Sequence, residues 1–352
     1  MGSLSDYAEL ELLDHVFNAA YSPVETVYLC LCTADPTDAG TGASMNEYPD
    51  TQGYARTAIA FGAAAARRIT QNADVSFPIA TGEYTSPITH WAICDSGVHG
   101  AGNMLAHGQT TAYDSGNCDG IGADTSKLRD TAQNFLTTVQ VGMKVYNTTD
   151  STISTVTVVD SDTELTLADD IMDDGEDYEI LGFLVTTGNV LKIASGQVYI
   201  EIQATAAGAG FTTYCVNLML DLMFRNQAWA TPAGDTHVAI YTAVLDDDDD
   251  DTTDQAEEDA TEYVRTEVNP NGGASPTWDL AASGVVDNTH EITLEAEVGT
   301  DDWDTDVALA IVTTASGAGK ILCYDSANVT DQRPRTGDSI KVAAGAFDVT
   351  LS

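Results

Sequence analysis

Residues 191–202 read "LKIASGQVYIEI", and residues 340–352 read "IKVAAGAFDVTLS". In both, an apolar residue, Lys, an apolar residue, Ala, a small residue and Gly lead into an alternating stretch. Apolar and polar side chains at period two are the mark of a half-buried β-strand. A chain that closes twice on the same pattern invites a search for matching beginnings, because an internal repeat sets the architecture before any single element does.

The beginnings match as well. Residues 12–35 read "LLDHVFNAAYSPVETVYLCLCTAD" and residues 219–243 read "MLDLMFRNQAWATPAGDTHVAIYTA". Each gives a short amphipathic helix, with Leu13, Val16 and Phe17 answered by Leu220, Met223 and Phe224. A Pro-containing turn and an alternating strand follow in both. "GYARTAIAF" (53–61) then answers "EYVRTEVNP" (262–270), keeping Tyr-x-Arg-Thr. "ITHWAIC" (88–94) answers "VALAIVT" (307–313), and "GNML" (102–105) answers "GKIL" (319–322). Matches in one order along the chain predict a tandem duplication.

The spacing between matched stretches grows slowly and then drops at the closing strand. Copy one therefore holds extra residues, 109–183, between its last two strands. Their centre, "VGMKVYNTTDSTISTVTVVDSDTELTLADD", is a series of short Val/Thr strands joined by Asn, Asp and Ser turns. This predicts a small β-barrel inserted in a hairpin loop, where added length costs little closure entropy. The expected fold is mainly β: two tandem β-sandwich-like modules, each with a leading short helix, plus the inserted barrel. Copy one is 1–108 plus 184–202 and copy two is 211–352, with 203–210, "QATAAGAG", as a small-residue linker.

Charge bounds the function. The chain has 55 acids against 13 bases, a net charge of −42, with the acids spread along its length. Without a basic stripe, a nucleic-acid partner is not expected. Apolar content of 43% supplies real cores, so the acids belong to the surface. Such a surface suits molar salt, where the Debye length is only about 3 Å, and predicts a halophilic origin. An acidic surface for a cationic partner or calcium is the other reading. No apolar run approaches a membrane span. The opening "MGSLSDYAELELLDHVF" has no basic n-region, so no signal peptide is expected.

Chemistry-bearing motifs are missing. There is no G-x-S-x-G, H-E-x-x-H or C-x-x-C. "ASGAGKI" reads as a hairpin turn, since its counterpart "VHGAGNM" has no Lys. The six cysteines (30, 32, 94, 118, 215, 323) read as small buried residues and the histidines show no ligand spacing. No enzyme, catalytic residue or cofactor is expected. The candidates for a weak cation site are Asp246, Asp247, Asp248, Asp249, Asp250 and Asp251, a run that otherwise reads as a solvated loop without EF-hand spacing.

"SLSDYAELELLDHVF", "VYLCLCTADPTDAG", "GYARTAIAFG", "VSFPIATGEY" and "ITHWAICDS" resemble a family of small tailed-phage proteins commonly labelled tail fibre or minor tail proteins. Its single-domain members open on a Ser-x-Ser-Asp-Tyr-x-Glu helix, followed by "TADPT", "GYAR" and Thr-His strands. The resemblance covers 1–108 plus 184–202; copy two keeps the skeleton, and the insert resembles a β module grafted into many phage structural proteins. It implies a non-enzymatic virion component, made in the host cytoplasm, with other virion proteins and copies of itself as partners. With the composition, it implies a tailed virus of a haloarchaeon.

Three placements follow: a tail tip, baseplate or fibre protein, a capsid decoration or turret protein, and a glycan-binding adhesin. In the first, three duplicated chains would present six similar units, matching a three-fold tip to a six-fold tail. In the third, a host-surface receptor would stack on Trp91, Trp229, Trp278 or Trp303.

Overall fold

A computed structural model describes residues 2–110, 114–120, 126–182, 185–203, 209–229, 236–259, 263–295, 303–326, 334–335 and 338–351. The protein is mainly β and built from sandwich-like modules. Its chain falls into two compact units, one of Met1–Ser5, Val27–Ile59 and Ala73–Gln197, the other of Asp6–Thr26, Ala60–Asn72 and Val198–Ser352. Of the linker expected at 203–210, residues 204–208 lie outside the described residues.

The first unit is organised by an antiparallel sheet. Five of its strands follow one another in the order Thr57–Ile59, Val27–Cys32, His90–Cys94, Met104–Gln109 and Gly2–Leu4. Alternation in "VYLCLC" turns Cys30 and Cys32 to one face, where they pack with Met45, Ala92, Cys94 and Met104. All six cysteines of the chain are buried and free.

The same unit holds an antiparallel sheet of six strands, in the order Asp114–Asn117, Asp177–Leu181, Lys144–Asn147, Thr152–Ser161, Glu164–Leu167 and Lys127–Arg129. It has its own core, which includes Leu128, Phe135, Val145, Leu165 and Ile180. The long strand Thr152–Ser161 shifts register twice against Glu164–Leu167, and such bulges increase the local twist of a short sheet. At Gly116 a Cβ would meet Asp130 Oδ2 at 2.1 Å, so any side chain there would displace that carboxylate.

The second unit repeats the first sheet. Its strands run Thr266–Val268, Thr236–Tyr241, Ala308–Val312, Ile321–Asp325 and Ala209–Phe211. The strand order is the same, and so is the position of one irregularity: register slips between Ile93 and Cys94 in the first sheet and between Ile311 and Val312 in the second. Structure therefore pairs Cys94 with Val312, one residue away from the alignment that "ITHWAIC" and "VALAIVT" suggest.

The two long helices, Asp6–Phe17 and Thr213–Arg225, belong to the second unit. Asp6–Phe17 buries Ala8, Leu12, Leu13, Val16 and Phe17, an apolar stripe at helical spacing. Thr213–Arg225 buries Cys215, Val216, Met219, Leu220, Met223 and Phe224. The Thr212 hydroxyl accepts the Cys215 N–H and caps this helix, and Asn226, left-handed at φ 49°, ends it. Arg68–Thr70 with Tyr199–Glu201, Val285–Val286 with Val349–Thr350, and Ile292–Glu295 with Ser339–Val342 complete the unit's described strand pairs.

Candidate functional site

The two sheets carry the same buried polar clasp. In the first, Tyr54 and Arg56 of the Tyr-x-Arg-Thr stretch converge on Glu47. Arg56 donates from Nε to Oε1 at 2.9 Å and from Nη2 to Oε2 at 2.7 Å. Its remaining N–H groups reach the carbonyls of Gly42, Ser96 and Ala101. The Tyr54 hydroxyl donates to Glu47 at 2.7 Å and accepts the Leu31 N–H at 3.1 Å. In the second, Arg265 donates to Glu257 at 2.8 and 2.6 Å, and to the carbonyls of Thr314 and Gly317. Tyr263 donates to Glu257 at 2.9 Å and accepts the Ile240 N–H at 2.9 Å.

Electrostatics explains why the clasps are complete. Burial works against the charged Arg56 guanidinium, yet hydrogen bonds to Glu47 hold its pKa above the ordinary arginine range. Burial pushes the Tyr54 hydroxyl well up, so it stays a donor. A buried ion pair survives only with its remaining donors and acceptors satisfied. Each arginine meets that condition by tying together two loops, Arg56 those that hold Glu47 and Ser96, Arg265 those that hold Glu257 and Thr314. Sequence inspection flagged the arginines through Tyr-x-Arg-Thr and missed the glutamates, which precede them at unequal distances.

The run Asp246–Asp251 is a folded loop with each carboxylate engaged. Asp247 accepts the Tyr324 hydroxyl at 2.7 Å and lies 3.7 Å from Arg67 Nη1. Asp246 accepts the Asp248 N–H, and Asp249 accepts the Asp246 N–H and the Gln255 amide. Asp248 accepts the Thr213 hydroxyl at 3.3 Å. Asp250 and Asp251 lie 3.5 and 3.4 Å from Lys320 Nζ. The lysine of "ASGAGKI" thus pairs with the acidic run. A cavity of about 270 Å³ adjoins the loop, lined by Tyr214, Asn217, Asp221, Asp248 and Asp250 among others. Among the described residues, no group of three His, Cys, Asp or Glu side chains is placed to hold a metal ion.

One constellation escaped the sequence. Ser3 Oγ lies 3.4 Å and Asp38 Oδ1 lies 2.8 Å from His107 Nε2. A proton relay needs the hydroxyl and the carboxylate on opposite ring nitrogens. Here both meet the same nitrogen, and Asp35 lies 3.7 Å from Nδ1. The arrangement ties the first strand to a loop.

Of the four tryptophans, Trp278 and Trp303 are fully buried, Trp91 is buried, and Trp229 is half-buried against the His15 ring at 5.1 Å. Asp306 is buried beside Glu258. Burial, then Glu258 and Asp304, push its pKa up to about 8. No helix among the described residues is long and apolar enough to cross a membrane.

A repeated β scaffold whose buried ionisable groups brace loops defines a class of structural module in which exposed loops are held on rigid sheets. The family model described as podophage GP4 fiber I protein gp80 matches residues 3–122 and 210–350, well over half the chain, and the chain belongs to that family. Both clasps and the acidic run lie inside the matched residues, and most of the six-stranded sheet lies outside them. No curated protein matches the chain.

Proposed function

We propose that the protein is a non-enzymatic structural component of a tailed-virus virion, in the tail tip, baseplate or fibre region. Membership of a phage fibre family is the observation that carries this reading. We further propose that the chain arose by tandem duplication. Two sheets of one strand order, one shared bulge position and one shared Arg–Glu–Tyr clasp support it. A duplicated chain in a homo-oligomer such as a trimer would present six similar sheets, with other virion proteins as its partners. The acid excess supports a halophilic, haloarchaeal-virus origin. In this reading Asp246–Asp251 is a braced surface loop, and weak cation binding there would register as calcium-dependent heat in a titration.

Gold-labelled antibody against the protein, applied to intact particles, tests the placement. Label confined to the tail end is expected. Label over the head would replace this reading by a capsid decoration, and the absence of label from particles would remove the virion assignment.

A further inference from the structure

Within the second unit, each helix packs against the hairpin that follows the other helix in sequence. Asp6–Phe17 packs on Val285–Val286, Thr213–Arg225 packs on Arg68–Thr70, and the two helices touch. The contacts correspond one for one. Asp14 Oδ1 accepts the Ala281 N–H at 2.8 Å, and Asp221 Oδ1 accepts the Ala64 N–H at 2.8 Å. The Phe17 ring meets Trp278 at 4.9 Å, and the Phe224 ring meets Phe61 at 5.5 Å. Each aspartate is braced from one helical turn further on, Asp14 by Asn18 and Asp221 by Arg225, both at 3.0 Å. Both hairpins turn through two residues at positive φ, Ala66 and Arg67 in one, Ser283 and Gly284 in the other.

A contact in which residue i meets j while the counterpart of j meets that of i is isologous, the geometry of a two-fold dimer. Here it occurs inside one polypeptide. We propose that this helix-and-hairpin face is a self-recognition surface whose partner is a second copy of the same module, so that the chain carries both halves of a dimeric contact. The proposal rests on the duplication proposed above.

Arg67 is the place where the reciprocal arrangement is locked. Its guanidinium donates to the carbonyls of Ile202 and Gln203 at 3.0 and 2.9 Å, and to that of Phe211 at 2.6 Å. It therefore grips the chain on both sides of the linker. A left-handed backbone is costly for a residue with a Cβ, and Arg67 holds φ 63° where the other hairpin has Gly284. The three carbonyl bonds offset that cost. The linker then serves to keep two self-complementary surfaces at high effective concentration, and the surfaces themselves supply the binding.

The test cuts the linker in the folded, full-length protein. A protease site placed within 204–208 is cleaved in molar potassium chloride, and the products are followed by size-exclusion chromatography with light scattering. The expected result is a single complex of the intact mass that separates only in denaturant. Asp14→Asn and Asp221→Asn should lower the denaturant concentration for separation by similar amounts, while their uncleaved chains stay folded by circular dichroism. Separation of wild-type fragments in native buffer overturns the proposal, as does an unchanged separation point in both variants. Duplication fails on a different observation, an experimental structure in which the two sheets do not superpose.

Discussion

Arg56 and Glu47 form a two-bond fork, at 2.9 and 2.7 Å, inside the first sheet's loop edge, where the guanidinium side chain is 0% exposed and the carboxylate 4%. Arg265 and Glu257 repeat the fork at 4% and 18%. Removing one partner of a buried pair leaves the other charged and dry, at a cost of about 3–5 kcal/mol. Arg56→Met should therefore destabilise the protein by that order in chemical unfolding, and Arg265→Met by less, because Glu257 keeps more water. Equal losses would show that exposure does not set the cost.

Two buried groups of the second unit make stability depend on pH with opposite signs. Burial holds the His15 pKa at about 4 against an ordinary 6.5. The unfolded chain therefore binds the proton more readily between those values, and His15 contributes stability above pH 6.5 that is lost as pH falls toward 4. Asp306 acts with the opposite sign. Its folded pKa of about 8 lies above an ordinary 3.8, so its contribution is full below 3.8 and is lost as pH rises through 8. Melting temperature at fixed molar salt should stay level between about pH 4 and 6.5, where the two slopes cancel, and fall from there to about pH 8. His15→Gln should extend the fall down to about pH 4, and Asp306→Asn should leave a profile that rises from about pH 4 to 6.5 and is level above it. Parallel profiles for wild type and Asp306→Asn would show that the carboxyl ionises freely.

Salt should act on the whole molecule. With a net charge of −42, repulsion reaches about 30 Å at 0.01 M salt and about 3 Å at 1 M. Melting temperature and oligomer mass are both expected to rise steeply with potassium chloride toward molar levels. A flat response, or full rescue at low salt by millimolar calcium, would replace the halophilic reading by one of specific cation sites.

The six-stranded sheet has a core of its own, and its flanking strand ends at Gln109. Replacing 109–183 by a short Gly-Ser bridge should leave a cooperative unfolding transition. Loss of that transition would show that the inserted residues carry part of the first sheet's stability.

The acidic loop should tolerate partial neutralisation. Asp250 and Asp251 pair with Lys320 at the surface, where an ion pair is worth about 0–1 kcal/mol. Asp250→Asn with Asp251→Asn should shift stability by no more than that in molar salt. A larger loss, recovered by added calcium in wild type alone, would mark the run as a cation site.

Local sequence determined what depends on near neighbours. Period-two alternation in "VYLCLC" set a strand with Cys30 and Cys32 on one face, and the Leu13–Val16–Phe17 spacing set a helix with one apolar stripe. Tyr-x-Arg-Thr marked both clasps, whose Tyr and Arg stand immediately before the strands Thr57–Ile59 and Thr266–Val268. Their partners were a tertiary decision. Glu47 and Glu257 stand at different distances from their arginines, and nothing in a run of acids says which carboxylate is buried. The same holds for Asp247, which meets Tyr324 and Arg67 while its neighbours face water. The choice of hairpin for each helix is the clearest case. Two similar helices and two similar hairpins offer each apolar stripe two chemically equivalent seats, so periodicity cannot choose between them. The three-dimensional path of the chain makes the choice, by bringing Asp14 to Ala281 and Asp221 to Ala64. Hydrophobic burial is non-directional; only the positioned hydrogen bonds and the reach of the connections separate one seating from the other.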